Sequence, residues 1–327
     1  MSFDVVLRSI LSAAFLASVL RISTPLILPA LGGLLTDLSG AVNIALEGTM
    51  IVGAFTGVIV SAYTQSWILG VLAGIAAGVF ISGVLAFFHL YLKTDVILAG
   101  IAINIISSGG TIFLLYMLTG DKGSTSSLAS KVVPNIDLPI FQNIPFLDQV
   151  FSGHNIFVWL AFILTALTAV MLYRTRLGVH IRAVGENPTA AESVGINVRR
   201  TQLIAMLLSG FLASLGGMDL SMAYLNGFTR DMTAGRGFIA LAAVYLGGRK
   251  PWGTLIAAMV FGLADALSNQ FGSMNIPSQL VSMIPYAVTI LALVVYAVRQ
   301  RQVIIDRARK FQERHMAEVA EAKAAND

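Results

Sequence analysis

Five ionisable side chains fall inside apolar stretches of this 327-residue chain: Asp37, Glu47, His89, Asp219 and Asp265. A charge at bilayer depth costs roughly 3 kcal/mol on insertion scales, so each is a candidate for a solute path, a proton relay or an ion pair. Asp37, His89 and Asp219 lie near the ends of their stretches, where capping or snorkelling carries them. Asp265 lies nearer the middle of its stretch, which calls for a polar partner on a neighbouring helix. Glu47 is the leading candidate. It lies within Ser39–Gly48, four residues after Asn43, a spacing that places an amide and a carboxylate on one helix face. Such a pair can hydrogen-bond a polar solute or tie two helices together, and the residues leave both readings open. Asn104, in an otherwise apolar stretch, poses the same alternative. Phe55, Phe113, Tyr224 and Phe238 are available to stack on a flat solute. Aromatic residues in membrane spans more often pack or anchor at the interface.

Other chemistries have no footing. There is no G-x-x-x-x-G-K-[ST] phosphate loop, no H-E-x-x-H and no G-x-S-x-G. His89, His154, His180 and His315 are scattered along the chain, too far apart in topology to form one metal site. The absence of cysteine excludes disulfides, thiolate catalysis and cysteine-ligated metals. No catalytic residue and no resident metal or cofactor is expected, which sets an intramembrane enzyme aside. Uphill transport then draws its energy from a coupled ion or from a separate ATPase.

The elements that position these residues are membrane helices. Hydrophobic residues make up 56% of the chain and charged ones 12%, about half the share of an ordinary soluble domain. The mean hydropathy is +0.80. This excludes soluble enzymes, nucleic-acid binders, disordered tails and disulfide-stapled domains as readings of the whole chain. A crossing needs about 20 apolar residues. Ten are expected, at 5–22, 24–38, 43–61, 67–92, 96–118, 155–173, 201–220, 237–247, 253–270 and 278–298, giving an all-α polytopic membrane protein. The second and eighth are too short for regular spans, and irregular backbone at that depth belongs beside protein or a watery cavity. Both are candidates to line a path. Small residues at four-residue spacing, Gly53–Gly57 and Gly70–Gly74–Gly78, let helix backbones approach closely.

With the amino terminus inside, sixteen of the 21 Lys and Arg residues fall on the cytoplasmic side and five (Arg21, Lys122, Lys131, Arg230 and Arg236) outside. That asymmetry places both termini in the cytoplasm. Asp4 precedes Arg8 and no small-residue cleavage site follows, so no cleavable signal peptide is expected. Residues 1–298 thus form a transmembrane domain with an outer loop at 119–154 and a basic inner loop at 174–200. Residues 299–327 form a charged cytoplasmic tail, basic then acidic. Within the inner loop, Asn187 is a good N-cap, Pro188 suits a first helical turn and Gly195 a C-cap. A short capped helix between two spans is a suitable lever for a cytoplasmic partner.

Three segments resemble one family. Ser39–Gly48 with Thr49–Ala54, the inner loop Arg182–Ile196, and Gly235–Gly253 across the short eighth span are together similar to permease subunits of bacterial ABC importers of the branched-chain amino acid, ribose and nucleoside superfamily. The likeness covers roughly residues 25–298 and is nearest to the nucleoside and simple-sugar branch. Ribose-type permeases more often carry Ile-Asp-Leu-Ser where this chain has Val42-Asn43-Ile44-Ala45. The resemblance implies a type II ABC importer-like fold in the bacterial inner membrane. It implies a permease without ATPase activity, paired with a second permease as a homo- or heterodimer. A cytoplasmic ATP-binding subunit would hold ATP and Mg, and an extracytoplasmic solute-binding protein would deliver the solute. It assigns Arg182, Gly185, Glu186, Asn187, Pro188, Ala190, Ala191, Gly195 and Ile196 to the ATPase-coupling loop. Alternating access would move a nucleoside or a simple sugar past Asn43, Glu47, Asn104 and Phe238. The residues alone keep a second class open, an ion-coupled secondary transporter that titrates Glu47 or Asp265.

Overall fold

The computed structural model describes residues 12–136 and 145–272, with 283, 287–291, 293–294, 296–298 and 301–302. Seven of its helices start where short polar side chains close their first turns. Ser12, Ser66, Asp95, Asn155, Thr175, Asn187 and Asn197 each accept a backbone N–H two or three residues on. Each cap contributes about 1 kcal/mol. The order is α1 (Ala13–Leu38), α2 (Leu46–Thr64), α3 (Trp67–Leu90), α4 (Val96–Thr119), β1 (Asn135–Ile136), α5 (Pro145–Phe151), β2 (His154–Asn155), α6 (Ile156–Arg174), α7 (Arg176–Glu186), α8 (Pro188–Ser193), α9 (Val198–Asp219), α10 (Arg236–Leu246) and α11 (Pro251–Phe271). A π-helical turn, Leu220–Tyr224, extends α9. Among the described residues seven helices are long and apolar enough to cross a membrane: α1, α2, α3, α4, α6, α9 with its π turn, and α11.

α1 corrects the expected boundaries. The spans expected at 5–22 and 24–38 are, from Ala13 onward, a single helix of 26 residues. The polar residues at that boundary are absorbed by the helix itself. Ser23 Oγ donates to the Val19 carbonyl at 2.6 Å and Thr24 Oγ1 to that of Leu20 at 2.9 Å. Hydroxyls that bond back to the preceding turn need no water. Pro25 and Pro29 are also accommodated within the helix. The second span is therefore not a short one. The eighth is: α10 has 11 residues. Of the span expected at 278–298, residues 283, 287–291, 293–294 and 296–298 are described, helical from 287 on, and the others lie outside the described residues.

Burial follows the sequence pattern. Every residue of α1 from Ile22 to Asp37 is buried, as a helix apolar on all sides requires. α4 buries a single strip, Gly100, Ile103, Ser107, Thr111 and Leu115, and leaves the rest of its surface exposed or partly exposed. α9 packs on α1, α2 and α3, and α2 packs on α3. The expected glycine ridges make that packing possible. A Cβ on Gly74 would lie 2.9 Å from the Gly53 carbonyl oxygen, and one on Gly78 equally close to that of Gly210.

The two ends of the bundle differ. At one, residues 124–133 form a strap. Ser61 Oγ donates to the Lys131 carbonyl (2.7 Å), Val133 N–H to that of Met222 (3.0 Å), and Thr125 exchanges bonds with Phe228. β1 and β2 pair antiparallel, Asn135 with Asn155 and Ile136 with His154. At the other end α7 and α8 follow α6, with Gly178, Ile181 and Val184 of α7 turned inward.

Candidate functional site

The site is built from two places where the chain stops crossing the bundle as plain helix: the break between α1 and α2, and the short helix α10. At 11 residues α10 is about 16 Å long, half the thickness of a hydrocarbon core. Its N-cap is Gly235, at φ +77°, which has no side chain to accept the first N–H groups. Glu47 supplies that acceptor from the first turn of α2. Its Oε1 accepts from Thr233 Oγ1 (2.5 Å) and Gly235 N–H (2.8 Å), and its Oε2 from Gly237 N–H (2.6 Å). A carboxylate at a helix N-terminus satisfies orphan donors and meets the positive end of the dipole. The approach requires glycine: a Cβ on Gly237 would stand 2.5 Å from Glu47 N. Glu47 is 9% exposed.

The far end of α10 is held by Asp37, in the last turn of α1. Its carboxylate accepts from the Tyr245 hydroxyl (3.1 Å) and from Arg249 Nε (2.5 Å). Arg249 Nη2 also donates to the Asp37 carbonyl (3.1 Å).

Between Asp37 and Glu47 the backbone is irregular, and side chains satisfy its polar groups. Asn43 lies in this loop, ahead of the start of α2 at Leu46, so it does not share a helix face with Glu47. Its own side chain explains the late start, because Oδ1 accepts Ala45 N–H (2.9 Å) and competes with helix formation. Asn43 Nδ2 donates to Ser209 Oγ (3.0 Å) on α9 and Ser82 Oγ (3.3 Å) on α3, and the residue is fully buried. Asn104 closes the loop from α4: it donates to the Ile44 carbonyl (3.0 Å) and accepts Gly48 N–H (2.7 Å). The three polar candidates therefore support one stretch of backbone and the helix beside it. Phe238, in the first turn of α10, stands apart with 49% of its surface exposed. Phe55 packs edge-to-face on Phe228, with ring centroids 5.2 Å apart.

The remaining ionisable candidates separate. Asp265 of α11 meets Arg236 at the head of α10, Oδ2 to Nη2 3.2 Å, the polar partner its position called for. Asp219 accepts from Asn155 Nδ2 (3.1 Å), tying α9 to the strap end of the fold. His89 Nδ1 is 3.2 Å from the Thr94 carbonyl at the end of α3. His154 lies outside the spans and is 1% exposed, with Nε2 2.7 Å from the Val150 carbonyl. Burial lowers its pKa, the hydrogen bond to that carbonyl opposes the shift, and the charge of Arg21 adds to it. Among the described residues no three His, Asp or Glu side chains gather as metal ligands.

In the inner loop the short helix forms as α8. Asn187 Oδ1 accepts Ala190 N–H (3.0 Å), Pro188 occupies the first turn, and Gly195 sits at φ +85°. Gly195 N–H and Ile196 N–H return to the carbonyls of Glu192 and Ala191. Ala191 is its buried anchor, while Glu186 to Ala190 and Glu192 to Gly195 are exposed. Two features were not anticipated: helix α7, which carries Arg182, Gly185 and Glu186 ahead of α8, and the bonds of Asp37 to Tyr245 and Arg249. The first was signalled by Thr175, an N-cap residue just past the apolar span. The second was signalled only by two opposite charges at equivalent span ends.

The sequence has counterparts among known proteins. Residues 15–293 match the family described as branched-chain amino acid transport system / permease component. The guanosine ABC transporter permease protein NupQ of Bacillus subtilis is 37% identical over 287 residues, covering 83% of this chain and 88% of that protein. The nucleoside ABC transporter permease protein NupC of Lactococcus lactis is 32% identical over 292 residues, 86% of this chain and 91% of its own. The ribose import permease protein RbsC of Escherichia coli is 35% identical over 147 residues, 42% and 44% of the two chains. A multi-pass helical chain with this extent of likeness belongs to the branched-chain amino acid transport system / permease component family.

Proposed function

We propose that this chain is one of two paired permease subunits of an ATP-driven importer that moves a nucleoside across the bacterial inner membrane by alternating access, with a simple sugar such as ribose as the second candidate. The observation that carries the substrate class is the identity to two permeases named for guanosine and nucleoside transport, each spanning more than four fifths of this chain. In this reading a cytoplasmic subunit binds ATP and Mg, and an extracytoplasmic solute-binding protein delivers the solute. This permease contributes no hydrolytic chemistry. The second permease is a copy of this chain or a related one.

The charge asymmetry supports an orientation with α7, α8 and the tail 299–327 in the cytoplasm. At least fifteen of the 21 basic residues lie inward whichever side Arg8 occupies. The exposed rim of α8 around Asn187 and Pro188 is the contact for the ATPase, and the segment 174–200 is the coupling loop. Residues 1–298 act as the membrane domain. Phe238 has the exposed aromatic face suited to a nucleobase. Asn43, Glu47 and Asn104 shape the path through the backbone they hold, since their polar atoms already have protein partners.

The test is reconstitution of the chain with its ATPase, companion permease and binding protein in proteoliposomes, with uptake of labelled guanosine, adenosine and ribose. ATP-dependent uptake of a nucleoside is expected, together with a crosslink from a photoreactive group at Ala190 to the ATPase. Uptake by this chain alone on an ion gradient, or a complex that moves none of the three solutes, overturns the reading.

A further inference from the structure

The last turn of α1 touches three elements at once. On one side Asp37 holds Arg249 and Tyr245, and Arg249 holds the Asp37 carbonyl, so the turn between α10 and α11 is fastened to α1 by two bonds and the last turn of α10 by a third. On another side α7 lies backbone to backbone against the same residues. Gly185 has no room for a Cβ because the Leu38 carbonyl occupies that place. A Cβ on Gly40 would in turn stand 3.4 Å from the Gly185 Cα. From α9, Gln202 Nε2 donates to the Ser39 carbonyl (3.1 Å). Arg249 makes its bonds from a left-handed backbone, φ +58°, a conformation a non-glycine residue keeps where its surroundings fix it. A cavity of about 370 Å³, lined by Leu38, Arg182, Gly185, Glu186 and Arg249 among others, opens between α7 and this junction.

Contacts this close on one side and a void on the other describe a joint. We propose that Asp37 and Arg249 form a positioning latch for the transport step. The latch makes the α10–α11 turn follow the α7–α8 loop. α10, gripped at its other end by Glu47, carries that displacement to the middle of the membrane domain. The latch rests on the reading that α8 meets the ATPase, and it adds residues that touch neither ATPase nor solute.

The experiment uses the complete complex in proteoliposomes and measures ATP hydrolysis and uptake together for Asp37→Asn, Arg249→Gln, the double variant and Arg249→Lys. A coupling of ordinary size predicts uptake lowered about tenfold while hydrolysis stays within about twofold of the parent. The double variant is expected to be no worse than the worse single one, and Arg249→Lys to be intermediate. The chain has no cysteine, so spin labels on Val179→Cys and Lys250→Cys, carried by one permease of a complex otherwise free of reactive cysteine, report one intrachain distance. That distance is expected to stay constant on nucleotide binding in the parent and to change in Arg249→Gln. Uptake and hydrolysis falling by the same factor, additive single effects, unchanged uptake, or labels that separate in the parent overturn the latch. The label pair decides the question without the charge variants if those fail to assemble. A purified complex without any ATPase overturns the underlying functional reading instead, and the latch falls with it. An intact hydrolysing complex with normal uptake in both single variants overturns the latch alone.

Discussion

Asp37 and Glu47, ten positions apart in the chain, hold opposite ends of the same 11-residue helix. Glu47 caps the N-terminus of α10, and Asp37 binds Tyr245 near its C-terminus and Arg249 just beyond. The irregular backbone between the two carboxylates thus lies beside the half-length helix. Each is unsuited to lipid alone: the two carboxylates satisfy the ends of α10, and Asn43, Asn104 and Gln202 satisfy the backbone between them.

Glu47→Gln keeps the size of the side chain and removes the charge that faces three donors. The amide turns one N–H group toward those donors, so the expected loss is about 1–3 kcal/mol of stability. A lowered thermal midpoint with an unchanged KM for the transported solute marks Glu47 as a helix cap. A raised KM at unchanged midpoint contradicts that role.

Asn104→Ala leaves the Gly48 N–H and the Ile44 carbonyl without their partner inside the fold. The expected cost is again about 1–3 kcal/mol. Hydrogen exchange is expected to rise at residues 44–48 before it rises in the rest of α2, and uniform exchange along α2 contradicts a local role.

Gly78→Ala and Gly109→Ala make the same chemical change on neighbouring helices with opposite expected outcomes. A methyl at Gly78 meets Ser214 and the Gly210 carbonyl, whereas nothing stands within 4 Å of one at Gly109. Overpacking at Gly78 is expected to lower stability by about 1–3 kcal/mol. At Gly109 the gain in helix propensity is about 0.8–1 kcal/mol. Thermal unfolding of the two variants compares them directly, and equal effects refute the packing argument.

His154 carries a pH dependence whose sign follows from burial. Its pKa in the fold lies below the ordinary histidine value of 6.5, so the unfolded chain binds the proton more readily. Stability contributed by the neutral ring is complete well above that value and declines as the pH falls through 6.5 toward the lowered pKa. His154→Gln is expected to flatten the dependence of the thermal midpoint between about pH 7.5 and 5.5, the interval in which an ordinary histidine titrates. An identical slope in the variant excludes His154 as its source.

Much of the fold was legible because apolar length and capping chemistry are local. Asp95, Asn155, Asn187 and Asn197 mark helix starts by residue type alone, and the glycines at 70, 74 and 78 mark a close approach without saying to which helix. The chain does not break near residue 23, because two hydroxyls that look polar in sequence bond within their own helix. Asn43 and Glu47 were paired by spacing that holds only if both are helical, and Asn43 itself ends that regularity.

By itself the sequence determined that the chain is a multi-pass membrane protein, where its short eighth element lies, and that a capped helix follows Asn187. Apolar length, glycine spacing and cap residues act over a few positions and need no partner. Only the tertiary structure decided what the intramembrane charges are for. Glu47 serves a helix some 190 residues later, Asp37 an arginine more than 200 residues on, and Asp265 an arginine on the neighbouring helix. A buried charge is tolerated through its partner, and partners this distant in sequence are chosen by packing.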